Sequence, residues 1–203
     1  MSDLTSVKAG AAALNAAHTE LHGLILNALL LPLLTATLGA RVVSVLSDAQ
    51  RHGADLSLVD WTMEQGYSPT AADVRSKVAN ILFARELARR LAAAGSPVLD
   101  VAAQPGWCTT SLLVKATPEL STSIIIAVLK PFLSRSAEAG ACCLLHAATE
   151  AGVAANDYWE PSFFHAKGPP TRSSARTGLV VSDEAAAALW AKSEEVTGVV
   201  YPV

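Results

Sequence analysis

Asp73 and Lys77 stand four residues apart in the stretch TAADVRSKVANILF. On a helix that spacing puts both side chains on one face. A carboxylate beside an ammonium is ionised at neutral pH and has no proton to donate, so the plain expectation is an ion pair. His18 and His22 share the same spacing and could pinch a metal, but no third ligand stands near them, so no metal is expected. Cys108 follows Trp107 in QPGWCTT without a histidine close by in sequence and reads as an ordinary thiol. Cys142 and Cys143 fall in an apolar helical segment and read as core. The chain holds no G-x-S-x-G elbow and no phosphate-binding G-x-x-x-x-G-K-[ST] loop, which removes the commonest hydrolase and nucleotide-triphosphate readings.

The elements that must position these residues belong to one oily domain. The 203 residues are 51% hydrophobic, 16% charged and 5% aromatic, enough for a real core and unlike a disordered chain. A net charge of −3 gives no basic footprint for nucleic acid or an anionic membrane. Three cysteines without scaffold spacing and no secretory signal make a reduced, cytoplasmic protein the expectation. The run from Leu24 to Ala40 is the most membrane-like, but Asn27, Pro32, Thr35, Thr37 and Gly39 interrupt it, so no membrane span is expected.

Along the chain, residues 6–19 read as an alanine-rich helix and GLILNA (23–28) as a short strand. LLLPLLTATLG (29–39) reads as a helix with Pro32 near its start, and RVVSVLS (41–47) as a β-branched strand. Residues 48–68 read as loop. A helix follows, capped by Ser68 or Thr70 and closed by Gly95, with Val74, Val78, Ile81, Leu82, Leu87 and Leu91 as its apolar stripe. PVLDVAA (97–103) is a buried strand, two helices are expected within 119–147, and 156–178 reads as Pro/Gly/Ser-rich connection. Ser182 caps a last helix reaching about Val196, with Gly198 beyond it. Strands alternating with helices imply an α/β fold with a mainly parallel sheet and helices on both faces, in a single domain over 1–203.

In this order the segments resemble a short-chain dehydrogenase/reductase, of the retinol-dehydrogenase-like and protochlorophyllide-reductase-like branch. DLTSVKAGAAALNAAHTELHGLILNA resembles the stretch after that family's third strand, ending in the Asn-Ala of its Asn-Ala-Gly motif. LLLPLL followed by ARVVSVLSDAQRHG resembles its interface helix and the strand that delivers the catalytic serine. YSPTAADVRSKVANILFARELARRLAAAGS resembles its catalytic helix, QPGWCTTSL its Pro-Gly loop, and YWEP, SSART and LWAKSEEVTGVVYPV its C-terminal tail. The resemblance implies an incomplete doubly wound, Rossmann-like sheet, truncated so that the N-terminal βαβ half is missing. No G-x-x-x-G-x-G occurs, and Leu29 follows Ala28 where the family continues with Gly and a helix carrying a catalytic asparagine.

The same resemblance assigns the site. Ser47 falls at the catalytic serine position, Lys77 at the lysine, and Asp73 where the family has the tyrosine that passes the proton. Asp3, Asn27 and Ala28 would line the adenine end of an NAD or NADP site; Pro105, Gly106 and Thr110 would lie by the nicotinamide, with Lys77 between catalysis and cofactor. The implied function is an NAD(P)-dependent oxidoreductase by descent, inactive or much impaired in this chain. Two alternatives stand beside it. One is a scaffold that homodimerises, or docks on an intact paralogue, through the helices near 29–39 and 71–94. The other is non-redox acid–base chemistry by Asp73, Lys77 and Ser47, which requires a buried Asp73.

Overall fold

A computed structural model describes residues 22–48, 67–108, 134–173 and 182–203. The elements are α1 (His22–Thr35), β1 (Arg41–Val45), α2 (Pro69–Ala93), β2 (Leu99–Ala103), α3 (Ala137–Thr149), β3 (Tyr158–Phe163), β4 (Lys167–Arg172) and α4 (Asp183–Thr197). The four strands form one sheet in the order β1-β2-β3-β4. β1 pairs parallel with β2, with Val45 opposite Ala103, and β2 pairs parallel with β3, with Ala103 opposite Trp159. Only β4 runs antiparallel, against β3. The fold is therefore the α/β, mainly parallel, partial Rossmann-like sheet that the sequence implies.

Alternation along β2 sends its side chains to two separate cores. Val101 and Ala103 pack with Ala147 of α3 and Val153, while Ala102 packs with Val78, Ile81 and Leu82 of α2 and Leu189 of α4. A third cluster joins Ala28 and Leu31 of α1 to Val42, Leu87, Leu91, Trp190 and Tyr201. Thus α1, α2 and α4 cover one face and α3 the other.

α2 forms as its sequence directs. The Ser68 hydroxyl accepts from the Ala71 N–H, Pro69 takes a position where no N–H is needed, and Gly95 just past the end adopts φ +64. Its stripe is buried: Leu82 and Leu87 are at 0% exposure and Leu91 at 2%. Each such side chain contributes about 2 kcal/mol by leaving water. Phe83 of α2 stacks on Trp190 of α4 at 5.4 Å, and the Arg90 guanidinium lies 4.5 Å from the same ring, so aromatic packing locks the two helices together.

Two expectations are corrected. GLILNA is not a strand: it is the first half of α1, a single 14-residue helix with Pro32 inside it rather than near its start. A short apolar run does not distinguish strand from buried helix, and the leucines continue without a polar break into LLLPLLT. Residues 156–178 are not mere connection either, because 158–172 form the β3–β4 hairpin. Pro169 and Pro170 disguise β4, but β4 is an edge strand, where a missing N–H does least harm. The helix expected over 6–19 lies outside the described residues, as does most of the 48–68 loop. One helix of the two expected within 119–147 is α3; the rest of that stretch is largely outside them.

Candidate functional site

The parallel strands end along one edge of the sheet, the edge where doubly wound folds place their ligands. Past β1 come Leu46, Ser47 and Asp48, and the Leu46 N–H continues the ladder to the Ala103 carbonyl at 2.8 Å. Past β2 comes Gln104, whose N–H reaches the Trp159 carbonyl at 2.9 Å. Glu160 follows Trp159 on β3, so Asp48, Gln104 and Glu160 arrive at this edge from three adjacent strands.

Glu160 is 2% exposed and Gln104 1% exposed. The Gln104 amide donates to Glu160 Oε2 at 3.0 Å, while Oε1 lies 2.8 Å from His165 Nδ1. The same amide reaches the His165 carbonyl at 3.4 Å. His165 lies in the tight turn between β3 and β4, where Phe164 (φ 47) and His165 (φ 56) are both left-handed without being glycine. That conformation costs about 1–2 kcal/mol per residue. It turns the imidazole back onto the buried carboxylate. The half-buried Asp48 completes the group: one ligand atom each from Asp48, Glu160 and His165 lie within 4.8 Å of one another.

The Pro-Gly loop clamps this hairpin to β2. Gly106 has φ +75, and a Cβ there would sit 2.3 Å from the Ala166 carbonyl oxygen and 2.7 Å from Pro161 Cγ. Only glycine permits that approach, and the next N–H, of Trp107, donates to the same carbonyl at 3.1 Å. Cys108 then bridges to Arg135, just ahead of α3, and burial pushes its thiol up, against the pull of Arg135. A thiol raised in this way is less available as a thiolate than an exposed one. A Cβ on Gly140 of α3 would overlap Cys108 Sγ, so helix and loop are in close contact there.

The residues assigned by resemblance share this edge only in part. Ser47 directly follows Leu46, which packs with Val74 and Val78 of α2. Asp73 and Lys77 are the sequence neighbours of those two valines, in the N-terminal half of the helix. Lys77 is half-buried and Asp73 is exposed. Among the described residues no ion pair joins them, which corrects the expected Asp73–Lys77 pair; i,i+4 partners on an exposed face gain little from closing. Pro105 and Gly106 lie in the clamp loop. Asn27 and Ala28 are in mid-helix rather than at a strand end, and Ala28, 5% exposed, faces the core. Asp3, Thr110 and His18 lie outside the described residues. Sequence reasoning missed Asp48, Gln104, Glu160 and His165 as a group. No spacing rule joins residues so far apart, and the one local signal was the Gln immediately before Pro-Gly.

No protein-family model matches the chain. It is 43% identical over 91 residues to human retinol dehydrogenase 14, a match covering 45% of this chain and 26% of that protein. It is 38% identical over 132 residues to mouse polyprenol dehydrogenase, covering 61% of this chain and 37% of the relative. A crystal structure of a Mycobacterium paratuberculosis protein superposes with a TM-score of 0.65 at 33% identity, over 88% of this chain and 56% of that one. The chain thus spans well under half the length of the curated relatives it matches.

Proposed function

We propose, from its kinship with the short-chain dehydrogenases/reductases, that this chain is an oxidoreductase of that type by descent whose hydride chemistry is lost or much reduced. Asp73 carries the reading. It occupies the place of the tyrosine that would move a proton to or from the substrate oxygen, and as an exposed carboxylate it is no substitute. Ser47 and Lys77 keep the residue types that the resemblance implies, and there they would hold a substrate oxygen and a nicotinamide ribose. Pro105, Gly106 and Thr110 would flank an NAD or NADP nicotinamide, and the protein would work in the cytoplasm. No helix among the described residues is long and apolar enough to cross a membrane. Non-redox acid–base catalysis by Asp73 is disfavoured, since it would need the burial this side chain lacks.

One observation favours a scaffold as the second reading. Leu29 and Leu33, four apart on α1, are 62% and 65% exposed. Among the described residues they form an exposed apolar ridge suited to a second copy or a paralogue. The outward positions Asp73, Ser76 and Asn80 of α2 are polar, so α1 would carry most of that contact.

The two readings separate in a thermal unfolding scan of the 203-residue chain with and without NADH and NADPH. A transition that rises with dinucleotide supports a surviving cofactor site. A cooperative transition that ignores both dinucleotides, in a protein that sediments as a dimer, supports the scaffold.

A further inference from the structure

We propose that Asp48, Glu160 and His165 form a binding site for a divalent first-row transition-metal ion, with Gln104 as the residue that orients it. This inference does not depend on the oxidoreductase reading. Three features beyond proximity carry it.

The donor set is mixed, two carboxylates and an imidazole, each able to offer one ligand atom within 4.8 Å of the others. Ligands at about 2.1 Å from a tetrahedral ion stand about 3.4 Å apart, which small side-chain rotations reach from the observed spacing. The second feature is an outer shell already in place. Gln104, itself 1% exposed, holds Glu160 Oε2 at 3.0 Å and so fixes Oε1 toward His165 Nδ1 at 2.8 Å. An outer hydrogen bond of this kind is what fixes a ligating carboxylate in metal sites. The third is electrostatic. Glu160 is buried and Asp48 half-buried, so a dication between them would be attracted by two carboxylates in a setting less screened than bulk water.

The ligand types narrow the ion. An all-oxygen cage would suit Mg²⁺ or Ca²⁺ and thiolates would suit softer ions; a single imidazole with two carboxylates suits Zn²⁺, Mn²⁺, Fe²⁺ or Co²⁺. Three protein ligands are one fewer than a closed structural zinc site holds. With the His165 side chain 41% exposed, a further coordination position would face solvent. The site could then accept water or an oxygen ligand there.

Cobalt(II) is the probe, because its visible bands separate ligand types. Metal-stripped full-length protein should bind one equivalent saturably, showing d–d absorption without the strong thiolate charge-transfer band that binding at cysteine would give. Its unfolding midpoint should rise by roughly 5–10 °C at a hundredfold excess over Kd. His165→Ala, at a half-exposed turn, should weaken binding by more than roughly 100-fold, and Gln104→Met by roughly 10–100-fold. Asp48→Asn should weaken it as well. Absence of saturable binding, a thiolate spectrum, or binding unchanged in His165→Ala and Asp48→Asn would each overturn the assignment.

Discussion

Replacing Gly106 by alanine should be among the most damaging single changes in the molecule, although it adds one methyl group in a loop. At φ +75 any Cβ carries the left-handed penalty of about 1–2 kcal/mol. That methyl would also meet the Ala166 carbonyl oxygen at 2.3 Å and Pro161 Cγ at 2.7 Å. Neither neighbour can swing aside, since one is backbone and the other a proline ring in β3, so overpacking adds about 1–3 kcal/mol. If the loop lifts instead, the Trp107 N–H to Ala166 carbonyl bond is lost, at about 1 kcal/mol. With the methyl held in place the backbone and overpacking costs come to about 3.5 kcal/mol, or roughly 7–14 °C in Tm for a chain of this size. Gly95 is the control: its φ is +64, but a Cβ there would meet nothing within 4 Å. Gly95→Ala should therefore cost only the backbone part, roughly 2–8 °C. Far-UV circular dichroism melts of the two variants beside the parent measure the difference. Equal losses in the two would refute the claim that the Pro-Gly loop is clamped onto the hairpin.

Tyr201→Phe should leave stability unchanged or raise it by up to about 1 kcal/mol at neutral pH. The Tyr201 hydroxyl is buried and has no hydrogen-bond partner among the described residues. Burial, with the nearby Asp100 charge, raises the phenol well above its ordinary value, so the folded state keeps its proton where the unfolded chain loses it. The parent should thus lose stability as pH climbs past about 10, and Tyr201→Phe should lose less, as urea midpoints across alkaline pH would show. Glu86, 1% exposed, is held below the usual carboxylate range by its hydrogen bond from Arg89 and then by Arg90, against the cost of burial. Its contribution is present above the unfolded carboxylate pKa of about 4.3 and disappears as acid protonates it. Its partners Arg89 and Arg90 remain solvated when it is removed, so Glu86→Ala should cost about 1–3 kcal/mol at pH 7, by denaturant titration, and less as pH falls below about 4.

What could be read from the sequence depended on whether the signal was local. The bounds of α2 were legible because Ser68, Pro69 and Gly95 act within a turn of the ends they set. The same holds for α4, between the Ser182 cap and the left-handed Gly198. α1 was misread because its apolar residues run on all sides with no polar phase to reveal a period. The hairpin was hidden by Pro161, Pro169 and Pro170, residues that usually deny a strand, and its edge position could not be known before the sheet was assembled. Ser47, Asp73 and Lys77 were assigned through resemblance, which implies a spatial grouping that spacing alone does not. The cluster of Asp48, Gln104, Glu160 and His165 had no such help: it exists because parallel pairing aligns the ends of β1, β2 and β3 and the β3–β4 turn folds His165 back onto them.

The most direct test of the central claim is steady-state oxidation of NADH and NADPH by the purified 203-residue chain, offered retinal-like and simpler carbonyl compounds, with Asp73→Tyr and Lys77→Ala alongside. The account predicts background rates for the parent and for Lys77→Ala, with any gain confined to Asp73→Tyr. Turnover by the parent that Lys77→Ala abolishes would contradict it, because a chain with aspartate in the tyrosine's place would then be a working dehydrogenase.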